Sequence, residues 1–186
     1  MKKIIALLLT VALGMFACAG AELAGGWTIN TLNEGETSTE IEFVEGQVAT
    51  LATQLVAGTN YCLLVRDAES YQLVYVYEQL DGRYYVVKSE DLVRVSAGLA
   101  GGWILADDVI PADVFEKAAS KMMGAGYEVA ATLATQVVAG TNYMLLCKIT
   151  PVVPNAESHY AVVTVYADLS GNAEITNVTD IELSIQ

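Results

Sequence analysis

A thirteen-residue stretch occurs twice in this chain, and that duplication limits the fold more than any other feature. Residues 49–61 read ATLATQLVAGTNY and residues 131–143 read ATLATQVVAGTNY, with Leu55 against Val137 as the one exchange. Each copy alternates apolar and polar residues up to Gln54 or Gln136. It then passes through a small apolar tip closed by Gly58 or Gly140 and resumes with Thr-Asn-Tyr. Alternation on both sides of a glycine-bearing tip predicts a β-hairpin, the glycine supplying a positive φ. The repeat extends outward. Leu23 to Trp27 recurs as Leu99 to Trp103, and Val76-Tyr77 with Leu80 and Gly82 recurs as Val165-Tyr166 with Leu169 and Gly171. The spacing drifts from 76 to 82 to 89, so the second copy carries insertions. Two whole units of one ancestry follow, over 22–95 and 99–186, with 96–98 as linker.

The residues at the tips carry a resemblance. Gln54-Leu55-Val56-Ala57-Gly58 and Gln136-Val137-Val138-Ala139-Gly140, each followed by Thr-Asn-Tyr, resemble the first inhibitory hairpin of cystatins, the stefin branch especially. The Leu-Ala-Gly-Gly stretches resemble that family's glycine-bearing N-terminal trunk. The Leu80-Asp81-Gly82 and Leu169-Ser170-Gly171 turns stand where its second hairpin belongs. The resemblance implies an α+β fold of two cystatin-like domains, each an antiparallel sheet with one helix packed across it, shortened or missing in the first. It also implies a secreted, reversible inhibitor of papain-like cysteine proteases that enters the active-site cleft with a wedge of trunk and two hairpins. Leu23 and Ala24 would then fill substrate subsites, and Gly25 would let the main chain pass the nucleophile. Gln54 and Gly58 would fix a tip whose Leu55, Val56 and Ala57 meet the cleft, and Leu80 would touch its far side. The same roles carry to Leu99, Ala100, Gly101, Gln136, Val137, Val138, Ala139, Gly140 and Leu169. The chain departs from the family in lacking the Pro-Trp of secreted cystatins and the Leu-Pro of stefins at the second hairpin. Its second trunk is also not a free end.

Met1-Lys2-Lys3, an apolar run from Ile4 to Phe16 and the small residues Ala17 to Ala21 read as a secretory signal peptide over 1–21. Lipid on Cys18 is the alternative, and only that would bring the chain to a membrane. Without the leader, seven basic residues face 22 acidic ones, a net charge of about −15. Such a surface disfavours nucleic acid and anionic lipid. Of the two remaining cysteines, Cys62 directly follows its Tyr61 and Cys147 lies four past Tyr143. At period two these offsets face opposite sides of a strand, which predicts two buried free thiols.

Strands are expected over Gln47–Gln54, Thr59–Arg66, Tyr71–Gln79 and Arg83–Val95, then over Tyr127–Thr135, Thr141–Thr150, Glu157–Ala167 and 172–183. Asp81-Gly82 is a strong hairpin turn. Residues 28–46 hold Gly35 and β-branched Thr37, Thr39, Ile41 and Val44, poor helix formers. Ser38 caps at most a short helix there. The second unit predicts a clear helix. Pro111 suits its first turn, Asp113 and Lys117 are four apart, and Val114, Phe115, Ala118 and Met122 form its apolar stripe.

Enzyme chemistry finds little support. The single histidine, His159, has no counterpart in the first repeat, so a Cys-His pair with Cys62 or Cys147 is not shared by both units. Zinc-ligand clusters, a calcium-loop spacing around 168–172 and phosphate-cradling glycine loops are missing from the sequence. No cofactor, metal or small-molecule substrate is expected. The alternative to protease inhibition is a secreted binding or adhesion module.

Overall fold

The computed structural model describes residues 25–30, 42–95 and 101–185. Ten strands and one helix lie among them: β1 (Trp27–Ile29), β2 (Gln47–Val56), β3 (Gly58–Arg66), β4 (Ser70–Glu78), β5 (Tyr84–Arg94), β6 (Ile104–Leu105), α1 (Ala112–Ala119), β7 (Ala125–Val138), β8 (Gly140–Pro151), β9 (His159–Asp168) and β10 (Ala173–Asp180). Each repeat makes one five-stranded antiparallel sheet in chain order, β1 to β5 and β6 to β10. The duplication reaches the irregularities. The β2–β3 ladder slips between Gln47 and Ala49 and between Thr50 and Ala52. The β7–β8 ladder slips at the equivalent Val129/Ala131 and Thr132/Ala134. Such bulges bend a strand and increase its twist, so both hairpins leave their sheets with the same curvature.

The central strands β3, β4, β8 and β9 read as near-continuous apolar runs because both of their faces are covered. Leu51, Cys62, Leu64, Leu73 and Tyr75 of the first sheet join Leu133, Ala134, Leu146 and Tyr160 of the second in one buried cluster. The two sheets therefore pack face to face and share a core. Each fully buried leucine there contributes about 1.5–3 kcal/mol of burial free energy. The seam is stitched by the Tyr160 hydroxyl donating to the Asn30 carbonyl at 3.0 Å and by an Arg66–Asp107 ion pair at 2.8 Å. Lys88 adds a link to the C-terminal segment, donating to the Ser184 carbonyl at 3.1 Å.

The outer faces are covered differently. On the second sheet α1 lays Val114, Phe115 and Ala118 over Leu145, Cys147, Val163 and Val165. Pro111 caps the helix, and Asp113 and Lys117 pair at 3.1 Å. It ends at Ala119, so Met122 lies past the helix rather than on its stripe. On the first sheet Phe43 covers Leu63, Val65, Val74 and Val76, its ring 4.6 Å from Tyr61 and 5.0 Å from Tyr84.

This corrects the expected fold class. The described residues are predominantly antiparallel sheet with one eight-residue helix among them, not two α+β units each roofed by its own helix. The physical reason is the competition for apolar surface. One face of each sheet is buried by the other sheet, which leaves only the outer faces to be covered; among the described residues α1 covers that of the second sheet and Phe43 that of the first. The short helix that Ser38 was expected to cap starts on residues outside those described, and Glu42, Phe43 and Val44 are not helical. Among the described residues no helix is long and apolar enough to cross a membrane.

Candidate functional site

Three segments meet at one end of each sheet because the ladder puts them there. In the first, Trp27 of β1 pairs with Gln54, and Glu78 at the end of β4 pairs with Thr59, just past the β2–β3 tip. In the second, Ile104 pairs with Thr135 and Gly140 with Asp168. Trunk, first tip and second hairpin thus stand side by side twice.

The tips are as tight as a hairpin can be. Val56 pairs with Gly58 and Val138 with Gly140, leaving Ala57 and Ala139 at the apex. Gly58 has φ +129° and Gly140 +133°, where an L side chain is strained. A Cβ at Gly58 would run into the Glu78 carbonyl oxygen and come within 2.8 Å of the Tyr77 ring. At Gly140 it would run into the Ala167 carbonyl and within 3.0 Å of Tyr166. Those tyrosines also brace the apex: the Tyr77 hydroxyl donates to the Ala57 carbonyl, and the Tyr166 hydroxyl to the Ala139 carbonyl at 2.7 Å.

The glutamines tie trunk to tip. Gln54 Nε2 donates to the Gly25 carbonyl at 2.6 Å, and Gln136 Nε2 to the Gly101 carbonyl at 2.9 Å. Each glutamine is oriented by the asparagine of Thr-Asn-Tyr. Asn60 Nδ2 donates to Gln54 Oε1 at 2.7 Å, and Asn142 Nδ2 to Gln136 Oε1 at 2.8 Å. The polar alternation ahead of the tip therefore serves to clamp the trunk glycine.

The apolar residues at these ends face solvent in matched pairs. Leu55 and Val137 are 73% and 70% exposed, Val56 and Val138 44% and 45%, Leu80 and Leu169 88% and 86%. Single exposed leucines are ordinary, but several gathered on one rim mark an interaction surface. Behind each second-hairpin leucine sits a held acid. The Arg83 guanidinium and backbone amide hold the Asp81 carboxyl below its ordinary value. Hydrogen bonds from the Asn172 side chain and from backbone amides do the same for Asp168.

Of the residues singled out from sequence, Gly25, Gln54, Leu55, Val56, Ala57, Gly58 and Leu80 come together at one end, as do Gly101, Gln136, Val137, Val138, Ala139, Gly140 and Leu169 at the other. Leu23, Ala24, Leu99 and Ala100 lie outside the described residues. Asn60, Asn142, Tyr77 and Tyr166 were not assigned roles from sequence, although their recurrence in both repeats was the available signal.

Nucleophile chemistry lies elsewhere. Cys62 and Cys147 are free and buried, one in the shared core and one beneath α1, and burial pushes both thiols up to about 12. His159 opens β9, far along the strand from Asp168, with Nε2 3.1 Å from Asp180. Among the described residues no group of three or more His, Cys, Asp or Glu side chains could hold a metal ion. No family model matches this chain, and neither a curated protein nor a solved structure matches it.

Proposed function

We propose that this chain is a secreted inhibitor of papain-like cysteine proteases, holding a trunk glycine, a glycine-closed apolar tip and a leucine-bearing hairpin together as a wedge. The observation that carries it is the glutamine clamp, made identically in both repeats. It fixes the Gly25 and Gly101 carbonyls beside tips with exposed Leu55-Val56 and Val137-Val138. A preformed edge of this kind binds with little ordering cost. The resemblance of both tips to the cystatin first hairpin supplies the partner class. A carbonyl displaced by the glycine φ offers a protease backbone without a well-placed scissile bond. The leader sequence supports secretion.

A second reading, a binding module that inhibits nothing, is favoured by one observation. Tyr84, Tyr85, Val86 and Val87 are all exposed on β5, an edge strand. Exposed edges of this kind accept a partner strand.

Titration of active-site-counted papain with residues 22–186 separates the two. Tight loss of activity is the expected outcome, because the tips and second-hairpin leucines of the wedges are exposed. Full activity at large excess would refute inhibition and leave the binding module.

A further inference from the structure

We propose that Tyr85 is the aromatic anchor of the first wedge, and that Glu174 in its place gives the second wedge a different protease preference. This rests on the inhibitor reading above and deepens it.

The two positions are equivalent by ladder and by turn. Gln79 N–H donates to the Arg83 carbonyl at 2.8 Å, and Asp168 N–H to the Asn172 carbonyl at 2.9 Å. Gly82 and Gly171 close the turns with φ +81° and +84°. Across the strands Tyr77 pairs with Tyr85, and Tyr166 with Glu174. The tyrosine that braces the apex therefore has a second tyrosine beside it in one wedge and a carboxylate in the other.

Tyr85 continues the surface of the tip. Its ring meets Tyr77 edge-on, with centroids 5.5 Å apart and planes at 71°, while the Tyr77 hydroxyl holds the Ala57 carbonyl. About half of Tyr85 remains exposed. Tip, brace and anchor form one run from the Ala57 carbonyl across Tyr77 to Tyr85. Tyrosine presents a large rigid contact area at low conformational cost, which is why it dominates binding hot spots. The turns of the second hairpins carry only Leu80 and Leu169, and Tyr84 sets its ring edge-on against Phe43 at 5.0 Å, so Tyr85 is the ring that adjoins the braced tip. Both rims carry two acids and one base: Glu78, Asp81 and Arg83 in the first, and Asp168, Glu174 and Lys121, which donates to the Ala173 carbonyl at 2.7 Å, in the second. The difference between the rims therefore lies in Tyr85 against Glu174 and not in net charge.

The test uses the full chain with one wedge silenced. Val137→Asp with Val138→Asp charges the exposed second tip and leaves the first wedge to be measured against papain. On that background Tyr85→Glu should weaken binding about thirty-fold, the scale of an interface hot spot, and Tyr85→Phe should keep it within a few-fold. On the mirror background, Leu55→Asp with Val56→Asp, Glu174→Tyr should tighten papain binding. Unchanged far-UV spectra and unfolding midpoints exclude misfolding as the cause. If Tyr85→Glu binds as its parent does, the anchor is refuted while the wedge stands. If the chain before any silencing fails to bind papain, the inhibitor reading falls and takes the anchor with it.

Discussion

Replacing Gly140 by alanine should destabilise the protein far more than replacing Gly171, although both are positive-φ glycines in hairpin turns of the same sheet. Gly171, at φ +84°, has nothing within 4 Å of where a Cβ would sit. Its alanine meets only the left-handed backbone cost, about 1–2 kcal/mol. Gly140 sits at φ +133°, a conformation that costs a side chain about 1–3 kcal/mol. Its Cβ also collides with the Ala167 carbonyl and the Tyr166 ring. Relief requires the tip to lift from β9, which breaks the Tyr166–Ala139 hydrogen bond and loosens the last ladder pair, Gly140 with Asp168. Each such bond is worth about 0.5–1.5 kcal/mol net. The sum is about 2–5 kcal/mol. With a urea slope of about 2 kcal/mol/M, the midpoint of Gly140→Ala should fall by roughly 1–2.5 M, against roughly 0.5–1 M for Gly171→Ala. Urea titration followed by tryptophan emission reads both. Midpoints within about 0.2 M of each other would show that the close approach of tip and β9 does not exist, and with it the tyrosine brace.

Two further perturbations probe the site and the core. Gln54→Ala and Gln136→Ala should change stability by less than about 1 kcal/mol, since the bonds lost are near solvent. They should nonetheless speed amide exchange around Trp27 and Trp103 and weaken papain inhibition about ten-fold by making binding order the trunk; unchanged exchange would mean the clamp holds nothing. The thiols should fail to react with a disulfide reagent in the native protein at pH 8 and react fully in urea. Because burial raises both to about 12 from an ordinary thiol value of 9.0, the unfolded chain loses its thiol protons first as pH rises. The stabilisation is whole below pH 9 and declines between 9 and 12, by about 1.4 kcal/mol per pH unit for each thiol. Urea midpoints that stay flat across that window would refute the burial.

Much of the strand order was legible in the sequence. Alternation toward Gln54 and Gln136, the Asp81-Gly82 turn and the repeat itself placed β2 to β5 and β7 to β10 within a few residues. The opposite facing of Cys62 and Cys147 followed from a period of two. α1 was legible through Pro111 and the Asp113–Lys117 pair, but its end was read too late. The shared core was not legible. Tyr61-Cys62-Leu63-Leu64-Val65 and Tyr143 to Cys147 are apolar on both faces, and periodicity cannot say whether a helix or another sheet covers the second one. A helix was therefore expected across the second unit's sheet and a shortened or missing one across the first, and the opposing sheet was not foreseen. At the site, tip and trunk glycines were legible as repeated motifs. The contacts that hold them, from Gln54, Asn60 and Tyr77 and their counterparts, span up to 35 residues and arise only once the ladder aligns the strands.

The core between the sheets also sets a hazard of synthesis. When residue 95 has been made, the first sheet has all five of its strands, yet Leu51, Leu64, Leu73 and Tyr75 still face water. The last residue that packs on them, Ile185, lies some 90 residues later, several seconds at about 5–20 residues per second. For that interval a nascent half-sandwich offers a flat apolar face to its neighbours. Its charge opposes such encounters: residues 25–95 hold eleven acidic side chains against four basic ones. Mutual repulsion of like-charged chains keeps them apart until the second sheet arrives. The acidity of this chain thus protects the polypeptide while it is only half built.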